Sequence, residues 1–320
     1  METNAVVLGV DVGGQTAKCA VVNTAGEVLA QSILVSNAHT DAEGFISALA
    51  DTLKKLIKDA DVEGRVAGVG VGAPNGNYYT GEIKNAPNLT WCGPEGVPFS
   101  KMLSAKMDGM PVALTNDANA AAMGEMTYGI AKGMKDFIMI TLGTGVGSGI
   151  VIDGKVVYGH DGFAGELGHV CAVRGGRKCG CGKQGCLEAY ASAIGVARTA
   201  KEWLEERPEE TSLLRIKENI TSKDVYEAAK AGDKLAIEIF EYTGRLLGEK
   251  FADFIEFSAP EAIVLFGGLA RAKEFLREPI LSAMNENVLP LWRDRVQLLF
   301  SSLRESDAAI LGASALAWDL

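Results

Sequence analysis

Residues 6–22 read VVLGVDVGGQTAKCAVV, and this stretch decides the fold. Its apolar run from Val6 to Val10 predicts a buried strand that ends at Asp11 and the Gly13-Gly14 pair. Lys18 to Val22 predicts a second strand, so the glycines lie in a turn between two strands. A polar hairpin turn and a third strand are expected next, at residues 23–26 and 27–34.

The same plan recurs in residues 137–158. It consists of a strand, a glycine loop, a strand, a tight turn and a returning strand, at Phe137 to Leu142, Gly143 to Gly149, Ile150 to Ile152, Asp153-Gly154 and Lys155 to Tyr158. Because one plan occurs twice, the sequence predicts two related halves.

Helices alternate with these strands. Glu43 to Asp59 has apolar residues at helical spacing, and Val66 to Val71 is a further apolar strand, so the pattern predicts an α/β sheet. Later elements are predicted as three helices and a strand, at Gly195 to Glu206, Ser222 to Ala231, Asp233 to Phe257 and Ala262 to Phe266. The charged segment from Arg207 to Lys217 is expected to be a solvated connection without a functional role.

The composition is that of a globular protein. The chain has 320 residues, of which 48% are hydrophobic and 22% charged, so it can bury a core and is not disordered. We expect a small N-terminal α/β domain, residues 1–115 plus about 306–320, and a large C-terminal α/β domain, residues 116–305. The 38 glycines indicate many tight turns or close approaches to a ligand.

The charge balance excludes some classes of partner. With 31 basic and 41 acidic side chains the net charge is −10, which argues against nucleic acid as the main partner. No apolar run approaches the roughly 18 residues needed to span a membrane. Met1 to Asn4 lack the features of a secretion signal, so we expect a cytoplasmic protein, in which clustered cysteines bind metal more often than they pair.

Two glycine-rich loops are candidate phosphate sites. The first, Asp11 to Thr16, follows a buried strand, where paired glycines let backbone N–H groups approach a phosphate; an ordinary turn is the alternative. The second, Leu142 to Gly149, is not a dinucleotide fingerprint, because a strand at Ile150 follows it instead of a helix. The sequence also lacks a P-loop motif. Two such loops suggest a nucleotide held in a cleft between two related domains.

Asn116 and Asp117 precede an alanine-rich run that favours a helix. Either residue would cap that helix. A carboxylate at a helix start is also held ionised by the helix dipole, which suits a group that accepts a proton. Both roles are compatible.

Four residues form a candidate metal site, namely His169, Cys179, Cys181 and Cys186. Three cysteines within eight residues and a nearby histidine are a Cys₃His zinc set, which leaves no position for water and therefore predicts a structural metal. Redox chemistry is the alternative, but Cys-x-Cys is not the thioredoxin-like Cys-x-x-Cys. The remaining cysteines are expected to pack as small buried side chains, at Cys19, Cys92 and Cys171.

Taken together, these motifs resemble those of the ROK family, which contains bacterial sugar kinases and sugar-responsive repressors. The resemblance covers nearly the whole chain, through Asp11 to Gly14, Asn116-Asp117, Leu142 to Gly149, Glu166 to His169, Cys179 to Glu188, and Phe266 to Gly268. It implies an actin-like, ribonuclease-H-like duplicated fold of two domains, with ATP and sugar in the interdomain cleft.

The resemblance also implies a role for individual residues. Asp117 would be the general base, and the sugar hydroxyls would be held by Asn75, Asn116, Asp117, Glu166, His169 and Glu188. The nucleotide and magnesium would be held by Asp11, Gly13, Gly14, Gln15, Thr16, Lys18, Gly143, Thr144, Gly145, Gly267 and Gly268. His169 would serve both zinc and sugar. One departure is Gln15, since kinase relatives commonly carry threonine there.

The implied activity is ATP-dependent phosphorylation of a hexose, most simply glucose at its 6-hydroxyl. Mannose, N-acetylglucosamine and N-acetylmannosamine are alternative substrates, and a non-catalytic sugar sensor is a further alternative. Repressor relatives carry an N-terminal helix-turn-helix domain, for which a first strand at Val6 leaves no room. A homodimer or higher homo-oligomer is expected by resemblance.

Overall fold

The structure is a computed structural model that describes residues 4–303 and 305–320, with side chains described for all of these except residues 305 and 306. Met1 to Thr3, on which part of the expectation about secretion signals rests, lie outside the described residues. Within the described residues the contacts define two compact units. Unit 1 comprises the chain up to residue 133 with residues 154–164 and 302–320, and unit 2 comprises residues 134–153 and 165–301.

The strands lie, in chain order, at β1 (Val6–Val12), β2 (Thr16–Asn23), β3 (Val28–Val35), β4 (Val66–Gly72), β5 (Val112–Thr115), β6 (Phe137–Leu142), β7 (Val146–Ile152), β8 (Lys155–Val156), β9 (Ala262–Phe266) and β10 (Gln297–Phe300). The α-helices lie at α1 (Ala42–Asp59), α2 (Phe99–Lys106), α3 (Asp117–Tyr128), α4 (Glu188–Ala191), α5 (Ala193–Glu206), α6 (Ser222–Lys230), α7 (Lys234–Ser258), α8 (Lys273–Asn287) and α9 (Glu305–Ala317).

The sheet of unit 1 has the strand order β3-β2-β1-β4-β5. β1 is antiparallel to β2 and parallel to β4, which is in turn parallel to β5. Alternate residues of β1 point to opposite faces. Leu8 and Val10 belong to the core that includes α1 and α2, whereas Val7 packs in a cluster with Ile310 and Leu311 of α9.

Two glycines allow α9 to lie close to this sheet. A Cβ at Gly9 of β1 would come within 2.5 Å of the carbonyl oxygen of Ile310, and a Cβ at Gly70 of β4 would overlap the carbonyl oxygen of Ala313. The other partner of α9 is α3. The carboxyl ends of β1, β4 and β5 therefore meet at one edge of a sheet that is covered on both faces.

The sheet of unit 2 repeats this topology. Its strands β10-β9-β6-β7 correspond to β5-β4-β1-β2, with the same pattern of antiparallel and parallel pairs. A tight turn at Asp153-Gly154 follows β7, and both residues have positive φ angles, 50° and 72°. The prediction of two related halves is confirmed.

The predicted strands and helices are mostly found near their predicted bounds. β6 and β9 have the predicted bounds, and α1 starts after Asp41, whose side chain accepts a hydrogen bond from the Gly44 N–H group. The predicted glycine loop from Gly143 to Gly149 is too long, because β7 begins at Val146, which pairs with Leu142 of β6.

The division into units differs from the predicted domain bounds. α3 packs against α9 and β4, so unit 1 continues past residue 115 to residue 133 and also includes residues 154–164. The C-terminal segment belongs to unit 1, from residue 302 instead of about 306. The alanine-rich composition of α3 allows this close packing between helices.

Two smaller expectations are wrong. The segment from Arg207 to Lys217 is not merely a solvated connection, because it contains a short 3₁₀ turn, Leu213–Ile216, in which Leu214 is buried. Cys19 is buried and Cys92 half-buried, but Cys171 is exposed, although its backbone pairs with that of the buried Cys186. No helix in the described part of the chain is long and apolar enough to cross a membrane.

Candidate active site

Unit 1 places two carboxylates at the carboxyl edge of its sheet. Asp11 lies near the end of β1, and Asp117 is the first residue of α3. The side-chain oxygen of Asn116 accepts hydrogen bonds from the N–H groups of Ala118 (2.8 Å) and Asn119 (3.2 Å). Oδ1 of Asp117 also accepts from the Ala118 N–H group, at 2.9 Å. Asn116 therefore caps the helix, and the second carboxylate oxygen of Asp117 is not required to satisfy the N–H groups at the helix start.

Both carboxyls have a raised pKa. Burial raises the pKa of Asp11 to about 6, an effect that the charge of Lys18 opposes and the charge of Asp117 adds to. The side chain of Asp117 is accessible to solvent, yet the protein packed around its carboxyl raises its pKa as well, against the hydrogen bond from Ala118. A carboxylate whose pKa is raised toward neutrality is a better proton acceptor than an ordinary aspartate.

The first glycine turn is closed by its own backbone. The Gly13 N–H group donates to the carbonyl of Thr16 at 2.9 Å, and the Ser36 N–H group donates to the carbonyl of Gln15 at 2.8 Å. A Cβ at Gly14 would lie 2.6 Å from the carbonyl oxygen of Asn88, so the position requires glycine. Gln15 is exposed and Lys18 pairs with Asp11 across the strands.

The loop that carries Asn75 lies beside the start of α3 in unit 1. Asn75 has a left-handed backbone (φ 54°), and its side-chain amide donates to the carbonyl of Asn85 at 2.6 Å. Gly76 packs against Thr115, where a Cβ would come within 2.5 Å of the carbonyl oxygen. The loop is thus held directly next to Asn116 and Asp117.

In unit 2 the second glycine loop is the turn between β6 and β7. The Gly143 N–H group donates to the carbonyl of Gly145 at 3.0 Å, and the Val146 N–H group donates to Oε2 of Glu188 at 3.0 Å. A Cβ at Gly145 would overlap the same carboxylate oxygen. Gly267, with a φ of 104°, packs against Leu142 at the base of this loop, so unit 2 brings both predicted nucleotide motifs together.

The predicted metal ligands lie together in unit 2. One ligand atom from each of His169, Cys179, Cys181 and Cys186 falls within 4.8 Å of the others. Sγ of Cys179 is 3.7 Å from Nδ1 of His169, and the Sγ atoms of Cys181 and Cys186 are 3.6 Å apart. Zn–S bonds of about 2.3 Å place two sulfurs of a tetrahedral site about 3.8 Å apart, so the spacing fits zinc.

The knuckle that carries these cysteines is shaped by its backbone. The Cys179 N–H group donates to the carbonyl of Lys183 at 2.9 Å, and Gly182 has a φ of 90°. The hydrogen bond from the backbone of Lys183 lowers the pKa of the Cys181 thiol, whereas burial raises the pKa of the Cys179 and Cys186 thiols. Nζ of Lys183 donates to the carbonyl of His169 at 2.7 Å and so joins the knuckle to the histidine.

The residues of unit 2 that are predicted to bind sugar lie close to these four predicted metal ligands. Nε2 of His169 is 3.9 Å from Oε2 of Glu166, and Oε1 of Glu188 is 3.5 Å from Sγ of Cys179. Sequence reasoning missed Ser148 of β7, which accepts from the Leu167 N–H group at 3.1 Å and donates to the carbonyl of Gly165. The hydroxyl fixes the turn between Glu166 and His169, and a serine within a glycine run gives no signal of that role.

A cavity of about 780 Å³ adjoins Thr144 of the second glycine loop. It lies within unit 2, and its walls come from α5, from the 3₁₀ turn and from the start of α6, with apolar contributions from Ala193, Ile194, Ala197, Leu204, Leu214 and Ile220. Sequence reasoning missed this cavity as well. The segment from Arg207 to Lys217 contributes Leu214, Arg215 and Lys217 to the cavity, and its charged composition gave no signal of that role.

The matching sheets define an α/β protein with the actin-like, ribonuclease-H-like duplicated fold. The sequence profile of the ROK family matches residues 7–319, and the chain belongs to this family.

Several relatives are similar over their full length. A glucokinase from Halalkalibacterium halodurans is 37% identical over 310 residues, which are 95% of this chain and 92% of that protein. The crystal structure of a ROK family glucokinase from Streptomyces griseus in complex with glucose and AMPPNP is 33% identical, has a TM-score of 0.78, and covers 99% of this chain and 100% of that one. The ROK hexokinase from Thermus thermophilus is 30% identical, with a TM-score of 0.83 and 98% of both chains covered.

Proposed function

We propose that this protein is an ATP-dependent glucose kinase that phosphorylates the 6-hydroxyl of the sugar. The observation that carries the proposal is Asp117, a carboxylate of raised pKa at the start of α3, in a chain similar to glucokinases along its whole length. The similarity to a ROK glucokinase in complex with glucose and AMPPNP supports both the sugar and the nucleotide.

Asp117 acts as the general base. Its Oδ1 is engaged by the Ala118 N–H group, so its other oxygen accepts the proton of the sugar hydroxyl as that hydroxyl attacks the γ-phosphate. Burial raises the pKa of this carboxyl, which makes it a stronger base than an ordinary aspartate. The protein otherwise positions the reactants, because phosphoryl transfer needs little covalent chemistry from it.

Sugar recognition is assigned to polar side chains. Within unit 1 these are Asn75 and Asn116 beside Asp117, and within unit 2 they are Glu166, His169 and Glu188 near the cluster of predicted metal ligands. Carboxylates and an imidazole fix several hydroxyl groups through directional hydrogen bonds, which is how a pocket distinguishes one sugar from another.

Nucleotide binding is assigned to the glycine motifs. The loop from Gly143 to Gly145 binds phosphate oxygens through backbone N–H groups, Gly267-Gly268 binds the adenosine, and the cavity beside Thr144 accommodates the base. In unit 1 the phosphates face Gly13 and Gly14 with Gln15, Thr16 and Lys18. Asp11 holds magnesium, which when bound neutralises charge on the phosphates.

We further propose that His169, Cys179, Cys181 and Cys186 hold a structural zinc ion, because the four ligand atoms have the spacing of a tetrahedral site. A bound zinc would supply rigidity to the knuckle and no chemistry. Nδ1 of His169 faces Cys179 whereas Nε2 is on the side of Glu166, so one nitrogen serves the metal and the other the sugar. A homo-oligomeric state and a cytoplasmic location remain predictions.

The test is a substrate panel. The purified protein is incubated with magnesium-ATP and, separately, with glucose, mannose, N-acetylglucosamine and N-acetylmannosamine, while ADP release and sugar phosphate are measured. We expect glucose to give the highest kcat/KM and glucose 6-phosphate as the product. A higher kcat/KM with another sugar would move the assignment to that sugar, and no sugar phosphate from any of them would reduce the protein to a sensor.

A further inference from the structure

The second glycine loop is held from both sides by one short segment, residues 188–195, which we call the α4–α5 corner. At its start, Oε2 of Glu188 accepts the Val146 N–H group at 3.0 Å. Near its end, the Ala193 N–H group donates to the carbonyl of Gly143 at 2.8 Å. A shift of the corner would therefore move the proposed sugar ligand Glu188 and the loop from Gly143 to Gly145 together.

Arg177 contacts this corner through hydrogen bonds and an aromatic ring. Its Nη1 donates to the carbonyl of Ala189 at 3.1 Å and to the carbonyl of Gly195 at 3.3 Å. Its guanidinium carbon lies 4.4 Å from the centre of the Tyr190 ring, and its backbone N–H group donates to the Tyr190 hydroxyl at 2.8 Å. The Arg177 side chain thus contacts both the beginning and the end of the corner.

Glu202 of α5 orients the guanidinium from its other edge. Nε and Nη2 of Arg177 donate to Oε2 of Glu202 at 3.0 and 2.5 Å. The Arg177 side chain is only 8% exposed, so its donors are satisfied almost wholly by protein. A lysine could keep the charge next to Glu202 but has no planar fork that reaches both carbonyls and the ring.

We propose that Arg177 is a positioning residue that sets the α4–α5 corner and thereby couples sugar binding at Glu188 to ATP binding at the second glycine loop. The inference rests on the roles assigned to Glu188 and this loop in the proposed function. It gives a non-ligand residue of the metal knuckle a part in the reaction, since Arg177 is two residues from Cys179 in the chain.

The molecule contains a matched control for this arrangement. Arg207 also lies 4.4 Å from an aromatic ring, that of Trp203, and also donates twice to a glutamate, Glu238, at 2.7 and 3.2 Å. Both clusters combine an arginine, an aromatic ring and a glutamate, although the Arg207 side chain is 35% exposed and that of Arg177 only 8%. The described contacts of the Arg207 side chain involve neither the corner nor the loop.

The experiment compares Arg177→Lys and Arg177→Met with Arg207→Lys and Arg207→Met in the full chain. Measurements are kcat, KM for glucose, KM for ATP and the melting temperature. We expect Arg177→Lys to raise both KM values and to lower kcat/KM about 10- to 100-fold, the usual effect of losing a residue that orients ligands. Both Arg207 variants are expected to stay within about twofold of the parent protein, on the same reasoning.

Outcomes that overturn the proposal are clear-cut. Kinetic constants of Arg177→Lys equal to those of the parent would mean that only the charge matters, and equal losses in Arg177→Lys and Arg207→Lys would mean a general loss of stability. If Arg177→Met does not fold, Arg177→Lys still decides the question. Glu188→Gln tests the proposed function separately from the role of Arg177. An unchanged KM for glucose in Glu188→Gln would refute the sugar role of Glu188. The KM for ATP in Arg177→Lys tests the positioning role of Arg177.

Discussion

At the scale of single residues, the helix cap and the proposed base are two neighbouring residues, Asn116 and Asp117. Asn116 caps α3 through Ala118 and Asn119, so Asp117 does not need both of its oxygens to satisfy the helix start. Asp11, on the neighbouring strand end, shares its electrostatic environment with Asp117. The proposed base is therefore held at the start of a helix, where burial raises its pKa and the hydrogen bond from the Ala118 N–H group opposes that rise.

The first prediction concerns the base. Asp117→Asn should lower kcat about 100- to 10,000-fold, because an amide cannot accept the hydroxyl proton. Glucose binding, measured by calorimetry, should remain largely intact since the amide is isosteric. Asp41→Asn is the control: it changes another aspartate at a helix start, the cap of α1, and should leave kcat unchanged. Near-normal turnover in Asp117→Asn would show that another group takes the proton.

The second prediction concerns pH. The pKa of Asp11 is raised to about 6, so this carboxylate is lost as the pH falls through about 6 instead of about 4. We expect kcat/KM for magnesium-ATP to be constant near pH 7 and to decline between pH 6 and pH 5, with an apparent pKa that belongs to the pair of Asp11 and Asp117. Asp11→Asn should move this decline to lower pH. A kcat/KM that is flat down to pH 5 would contradict the assignment.

At the scale of elements, the fit of helix to sheet depends on glycines in the strands. α9 approaches β1 and β4 so closely that Gly9 and Gly70 have no room for a methyl group. Such contacts are invisible in a hydrophobic pattern, which marks the strands but not the distance at which a helix lies over them. A hydrophobic pattern also does not mark strand residues that are glycines. The stretch 143–149 was therefore expected to be a loop, although residues 146–149 belong to β7.

The third prediction tests this packing. Gly70→Ala should lower the free energy of unfolding by about 1–3 kcal/mol, because the added methyl overlaps the carbonyl of Ala313 and forces the backbone of α9 to shift. Gly93→Ala is the matched control, since a Cβ at Gly93 meets no atom within 4 Å, and it should change stability by less than about 0.5 kcal/mol. Urea unfolding monitored by fluorescence provides both values, and equal values would refute the packing argument.

The fourth prediction concerns the knuckle. Metal analysis should find about one zinc ion per chain, and Cys181→Ser should lose most of it and raise the KM for glucose, because the knuckle positions His169 and Glu188. Cys171→Ser is the control: Cys171 is exposed and lies next to the knuckle, outside the cluster of four ligands. A folded parent protein that contains no zinc would remove this role.

At the scale of the whole molecule, the sequence predicts two halves with related sheets, whereas the residue bounds of the two units differ from the predicted domain bounds. The repeated order of apolar runs and glycine turns is a local property, and it predicted both sheets. The assignment of α3 to unit 1 depends on α9, which is distant in sequence, and no local pattern carries that contact. The motifs made Asp117 and the cysteines candidates because they are local, whereas Ser148, Arg177 and the cavity beside Thr144 became evident only from packing.

The placement of α9 has a consequence for how the protein is made. Strands β1, β4 and β5 leave the ribosome early, but the helix that covers one face of their sheet is synthesised after every segment of unit 2. Domains generally fold as units during synthesis, so unit 2 has its whole sequence available before unit 1 does. Until α9 is synthesised, the nascent chain lacks the residues Ile310 and Leu311 that pack against Val7 and Ala20 on this face of the sheet.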